Sequence, residues 1–270
     1  MAEHKEQKIM VFTELDQNDQ GLIRHGIKLA FVFKKELCLV YNLAKPKSKK
    51  APHAKQQIVA YANLVKKEIP ALRVSTMVLS EHRSLLPNVL AERHEGIILV
   101  ANALNFRKYT AMLSESPVPM LFVHPQSTID SYKQLVQTLD LRKENSDASL
   151  WCSYFGRFNT AEVVIVAASD KTKEAKQAIA KNVLLTKKLY EKFNIQHKVY
   201  KGTGSSFRNA YEALELALAS NCDLFVMLGS SGITPLDYLV GLPERKIMKR
   251  AGKLPVMIIN PRRDNYILCD

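Results

Sequence analysis

Gly229, Gly232 and Gly241 are spaced along one stretch, VMLGSSGITPLDYLVGLPERK, with Ser230, Ser231 and Thr234 among them, directly after an apolar run from Leu224 to Leu228. This pattern suits anion binding. Glycine lets backbone N–H groups approach phosphate oxygens without a Cβ clash, and the start of a following helix adds a favourable dipole. The acid best placed to complete such a site is Asp140, which closes the apolar run QLVQTLD. A strand-end aspartate can act as a general base or metal ligand, and it can equally cap the next helix or bind loop amides. Pro243 has no N–H to offer at the helix start, and Pro235 stiffens the same loop. Glycines three apart also serve ordinary turns and helix ends.

Other chemistry finds little support. His4, His25, His53, His82, His94, His124 and His197 show no metal-ligand spacing, and no G-x-S-x-G nucleophile turn occurs. Cys38, Cys152, Cys222 and Cys269 are scattered without a C-x-x-C pair, which predicts reduced, packed thiols.

The elements that must position these residues repeat once. KIMVFTELD from Lys8 resembles QLVQTLDL from Gln134, and Glu14 stands 126 positions before Asp140; ELCLVYN from Glu36 resembles AEVVIVAAS from Ala161, with Glu36 and Glu162 again 126 apart. Helical periodicity follows the opening run in each half: Leu22, Ile23, Gly26, Ile27, Ala30 and Phe33, then Ala148, Trp151, Phe155 and Phe158. Further helical patterns fall near Gln56–Lys67, at Leu85–Ala91, at Lys173–Phe193 with Ala175, Ala178, Ile179, Leu185, Leu189 and Phe193 on one side, and at Phe207–Ala219 with Ser205 or Ser206 as cap. Strands that alternate with such helices and are nearly all apolar predict parallel sheets covered on both faces. The expected fold is α/β, two five-stranded parallel-sheet domains in tandem, with residues 1–129 as the first and 130–270 as the second. Trp151 is expected in the core.

Lys and Arg number 39 against 26 Asp and Glu, a formal +13, and 47% of residues are hydrophobic. The excess is spread over both halves: residues 1–129 carry 18 basic and 11 acidic side chains, the remainder 21 and 15. No basic stripe interleaved with aromatics appears, so no specific nucleic-acid partner is expected. No apolar stretch is long enough to span a bilayer, and the polar opening MAEHKEQK lacks a signal pattern, so no membrane partner and a cytoplasmic location are expected.

With both halves ordered this way, the chain resembles a tandem universal stress protein, two such Rossmann-like domains of the adenine-nucleotide hydrolase type in one polypeptide. The resemblance covers nearly the whole chain and is most specific over LVQTLDLRKENSDASLWCSYFGRFNTAEVVIVAA. In nucleotide-binding members, a Gly-x2-Gly-x9-Gly-Ser/Thr loop after the fourth strand receives the phosphates and an acid ending the first strand holds ribose or adenine. Carried onto this sequence, the resemblance implies a site for ATP or a related adenine nucleotide made by Thr138, Leu139, Asp140, Ala168, Met227, Gly229, Gly232 and Gly241. Only eight residues separate Gly232 from Gly241, and Leu242 stands where a hydroxyl belongs. The first half departs further: GIILVANALNFRKYTAMLSESPVPMLFVHP has Asn102 in place of Gly229 and no glycine after Gly96. That half is expected to serve packing or partner contact.

The implied function is a stress-response regulatory or binding protein that holds an adenine nucleotide weakly in its second half. A slow nucleotide hydrolase, or a basic module for a nucleic-acid or membrane partner, is the alternative. The apolar strands PMLFVHP and PVMIINP are each bounded by prolines, which mark strand ends. Universal stress proteins dimerise through the final strand, so the resemblance implies self-association there: Met120–His124 antiparallel to Val256–Asn260, with two chains able to associate further.

Overall fold

The computed structural model describes residues 6–43, 51–128, 131–230 and 243–260. It divides into two compact units between Ser127 and Thr128.

The first unit runs β1 (Lys8–Phe12), α1 (Asp19–Phe33), β2 (Glu36–Asn42), α2 (Ala51–Glu68), β3 (Val74–Leu79), α3 (Leu86–His94), β4 (Gly96–Asn102), α4 (Phe106–Glu115) and β5 (Met120–Val123). Its strands lie in the order β3-β2-β1-β4-β5, and every pairing among them is parallel. Parallel neighbours need crossover connections, and the four helices supply them. Both faces of the sheet are therefore covered, and all seven residues of β4 are buried. Helix α1 lies close on the sheet because of Gly26, where a Cβ would stand 2.3 Å from Val11 Cγ2.

The second unit runs β6 (Gln134–Leu139), α5 (Asn145–Asn159), β7 (Glu162–Ala167), α6 (Lys173–Lys192), β8 (His197–Lys201), α7 (Asn209–Ala219), β9 (Leu224–Leu228), α8 (Pro243–Ala251) and β10 (Val256–Ile259). Its order is β8-β7-β6-β9-β10, again with parallel pairings. β9 is wholly buried, whereas four of the five residues of β8 are exposed. Trp151 is in the core at 2% exposure. Cys38, Cys152 and Cys222 are free and buried, and burial pushes the thiols of Cys152 and Cys222 up to about 12.

The spacing seen in the sequence recurs in the backbone. Helices α1 and α5 each have 15 residues and begin 126 positions apart. Lys34 and Thr160, which end them, both turn left-handed at φ 53° and 52°. Glu95 and Asn221, before β4 and β9, are also 126 apart and share φ of 57° and 51°. Among the described residues no helix is long and apolar enough to cross a membrane.

Two expectations need correction. Helix α7 starts at Asn209, not Phe207, and its cap Arg208 makes no side-chain bond. The Ser206 hydroxyl instead accepts the Leu141 N–H and donates to Asp170, so it ties loops together rather than capping a helix. Helix α6 buries Ile179, Asn182, Thr186 and Tyr190, while Leu185 is 51% exposed. The inward face is mostly polar because each of its polar groups finds a partner inside. Thr186 pairs with the Ser149 hydroxyl at 2.8 Å, and the Tyr190 hydroxyl donates to Gln137.

Candidate functional site

In an α/β sheet, ligands bind outside the carboxyl ends of the strands, where the connections diverge. In the second unit β6, β7 and β9 end side by side at Leu139, Ala167 and Leu228. Thr138, Leu139, Asp140, Ala168, Met227 and Gly229 consequently gather at one edge, and all six are buried. Gly232 and Gly241 lie outside the described residues, as do Ser231, Thr234, Pro235 and Leu242. The backbone N–H groups of two candidates are already used: Ala168 donates to Leu139 O and Gly229 to Ile259 O, each at 2.8 Å.

Asp140 is held by partners that spacing alone did not single out. Its carboxylate accepts the Arg142 N–H at 2.8 Å, Arg142 Nε at 2.9 Å, Arg142 Nη2 at 2.6 Å and Asn145 Nδ2 at 3.0 Å. Arg142 Nη1 meanwhile donates to the Gly229 carbonyl at 2.7 Å, so one guanidinium joins the ends of β6 and β9. The turn beneath is pinned by side-chain amides. Asn182 Nδ2 reaches the carbonyls of Asp140 and Arg142 at 2.9 and 2.8 Å, and Asn209 Nδ2 reaches those of Leu139 and Val166, both at 3.0 Å. Each amide nitrogen ties two carbonyls together and so rigidifies the loop, while Asn209 Oδ1 is buried without a partner among the described residues. With both oxygens committed, Asp140 serves this structure as a loop anchor rather than as an open general base.

The Gly229 side of the crevice carries a second acid. Glu244, in the first turn of α8, is 2% exposed, and its Oε1 accepts the Ser230 N–H at 2.5 Å. Its Oε2 is buried and finds no partner among the described residues. Neighbouring loops follow the same habit. Asp170 accepts the Ser206 N–H at 2.8 Å, and Glu212 accepts those of Thr203 and Gly204, each at 2.8 Å. The Thr203 N–H in particular holds the Glu212 carboxyl below its ordinary range.

The first unit has an opening at the corresponding edge. A cavity of about 260 Å³ lies there among Phe12, Thr13, Glu14, Tyr41, Asn42, Arg83, Leu86, Lys108, Tyr109 and Met112. Glu14 accepts Lys108 Nζ at 2.9 Å and Asn105 Nδ2 at 2.9 Å. Arg83 is exposed at the rim and donates to the Lys108 carbonyl at 3.5 Å. Asp19 braces the loop behind Glu14 by accepting the N–H groups of Glu14, Leu15 and Asp16 at 2.9, 2.7 and 3.2 Å. Asn145, 126 positions later, performs the matching task for Asp140, whose N–H it accepts at 3.3 Å. Burial raises the Asp19 carboxyl to about 6 despite these amide bonds.

Solved structures share this architecture over most of the chain. A universal stress protein from Archaeoglobus fulgidus DSM 4304 superposes with a TM-score of 0.66 at 12% identity, covering 94% of this chain and 98% of its own. The fold is that of the universal stress proteins. A functionally unknown protein from Pseudomonas aeruginosa PAO1 is also similar, at TM-score 0.61 and 12% identity over 95% of this chain and 93% of the other. No family model matches the sequence, and no curated protein matches it. At such low identity the likeness is one of fold, and any site rests on this chain's own residues.

Sequence reading missed Arg142, Asn182 and Glu244. Arg142 lies two residues past Asp140, close enough to have been considered as its ion partner. Asn182, Thr186 and Tyr190 are four apart, a helical spacing concealed by the leucines beside them. Nothing in sequence distinguishes Glu244 from an ordinary first-turn acid on a helix.

Proposed function

We propose that the chain is a tandem universal stress protein acting as a stress-response regulatory binding protein, with an adenine nucleotide held weakly in the second unit. The tandem reading is supported by the pairs of elements and left-handed turns 126 residues apart. The observation that carries the ligand reading is Arg142, which draws the ends of β6 and β9 around one crevice through Asp140 and the Gly229 carbonyl. A nucleotide has to displace that guanidinium from its own partners, which keeps binding weak. The same commitment of Asp140 favours a binder over the alternative slow hydrolase. Titration with ATP by calorimetry is the test, with turnover followed in parallel. One site in the micromolar range or weaker, without hydrolysis, is expected; submicromolar affinity, two equivalent sites or steady turnover would refute the reading.

A second reading is favoured by the first-unit cavity. Its lining carries Arg83 and Lys108 against the single acid Glu14, over a floor that includes Phe12, Leu86 and Met112. Its volume is just below the usual range for small-molecule pockets, about 300–1,000 Å³. A small anion with a flat apolar body fits that chemistry. Phenyl phosphate should raise the melting temperature of the wild-type protein but not of Arg83→Ala; equal shifts in both would reject the cavity as its site.

A further inference from the structure

We infer that the seam between α5 and α6 in the second unit holds a binding site for a short, uncharged primary carboxamide. The pocket there has a volume of about 80 Å³, and every residue that lines it is among those described. None belongs to the glycine-bearing loop, so the assignment does not rest on the nucleotide reading. Small side chains open the seam. Ser146 and Ser149 lie three apart and share the face of α5 that lines the pocket, where larger residues would close it. Helix α6 answers with two stripes, each of residues four apart: Asn182 and Thr186 are buried in the polar floor, and Leu185 and Leu189 form an apolar wall.

The hydrogen bonds of the floor leave one donor and one acceptor over. The hydroxyls of Ser149 and Thr186 stand 2.8 Å apart, and a single proton joins them. Ser149 also accepts Gln137 Nε2 at 2.8 Å, while Gln137 Oε1 is taken by the Tyr190 O–H. The second proton of the hydroxyl pair therefore has no acceptor among the described residues. Asn182 supplies the opposite sense. Its Nδ2 is fixed by the two carbonyls it serves, those of Asp140 and Arg142, so Oδ1 is the atom left to accept a bond.

A primary carboxamide matches both. Its carbonyl accepts the spare hydroxyl proton, its NH₂ donates to Asn182 Oδ1, and a short alkyl tail rests on Leu185 and Leu189. About two or three waters fill the same volume, at ~30 Å³ each, but they leave the leucine wall without an apolar partner. A ketone of the same shape has nothing to donate. A carboxylate likewise lacks a donor and sets its charge against Asn182 Oδ1; Lys143 at the rim is exposed, so its attraction is screened by solvent.

NMR titration of the full chain tests this with three probes of similar size: propionamide, butanone and propionate. Propionamide should bind in the millimolar range expected of so small a ligand, with shifts concentrated at the backbone amides of 146–149 and 182–189. Butanone and propionate should each bind about tenfold or more weakly, the equivalent of one lost hydrogen bond. Two variants locate the site. Thr186→Val keeps the shape of the floor but puts a methyl where the hydroxyl stood, and should weaken propionamide by about tenfold. Ser146→Leu fills the seam from an exposed position and should abolish binding. Absence of propionamide binding, shifts centred elsewhere, equal affinity for butanone or propionate, or undiminished binding in either variant overturns the assignment. Melting curves report folding; if Thr186→Val fails to fold, the wild-type probe series and Ser146→Leu decide.

Discussion

Replacing Asp19 with Asn should remove a specific pH dependence from the stability of the first unit. Asp19 is 2% exposed, and desolvation lifts its carboxyl from the ordinary 3.8 to about 6, the bonds from Glu14, Leu15 and Asp16 offsetting only part of that cost. The folded state therefore holds the proton more tightly than the unfolded state. The resulting stability is fully present below pH 3.8 and is lost as pH rises through about 6. Over the whole range the loss is about 3 kcal/mol, of which a little under half falls between pH 5 and pH 8. Asparagine cannot ionise, and it accepts with one oxygen where the carboxylate accepts three amides, so Asp19→Asn adds a roughly constant penalty of about 1–2 kcal/mol. His25 titrates in the same unit with the opposite slope, because burial lowers it to about 4; both proteins carry it, so it cancels in their difference. Urea unfolding of both proteins at pH 5, 6.5 and 8 is the assay. The advantage of wild type over the variant should shrink by about 1 kcal/mol across that span. A difference that stays constant, or grows with pH, would refute the argument that burial outweighs the amide bonds.

Other perturbations should act on named contacts. Arg142→Ala should cost about 2–4 kcal/mol in urea unfolding, because it leaves the buried Asp140 carboxylate without its cation. Asn182→Leu should cost about 1–3 kcal/mol by abandoning the carbonyls of Asp140 and Arg142; a neutral result would show that the turn does not need its amide brace. Gly26→Ala should lower stability by about 1–3 kcal/mol, since its Cβ would overlap Val11. Cys152 and Cys222 should resist alkylation at pH 8 until the protein unfolds, because burial keeps both as neutral thiols; labelling of the native protein would contradict their placement.

What the sequence revealed divides along physical lines. Strand and helix placement were legible because apolar runs such as Ile97–Ala101 and amphipathic repeats such as Leu22–Phe33 report burial directly. Helix α6 misled because Leu185 and Leu189 suggest an apolar inner face, whereas Asn182, Thr186 and Tyr190 are buried by hydrogen bonds that no hydrophobic pattern encodes. Asp140 was found from its place at a strand end. Its partners were only partly local: Arg142 and Asn145 are near in sequence, but the fold brings Asn182 to Asp140 and the Gly229 carbonyl to Arg142. Glu244 was the least visible, since its partner Ser230 lies 14 residues away across a loop.

Strand β8 makes the second unit uneven in its resistance to local opening. His197–Lys201 is bonded to β7 on one side, yet four of its five side chains face water, so little apolar burial opposes its release. Lys198 and Lys201 keep an opened edge soluble by discouraging a foreign strand from pairing there. Deuterium should therefore enter the β7–β8 ladder long before it reaches β9, and a protease acting on the native protein should find the α6–β8 segment while β6 and β9 remain closed.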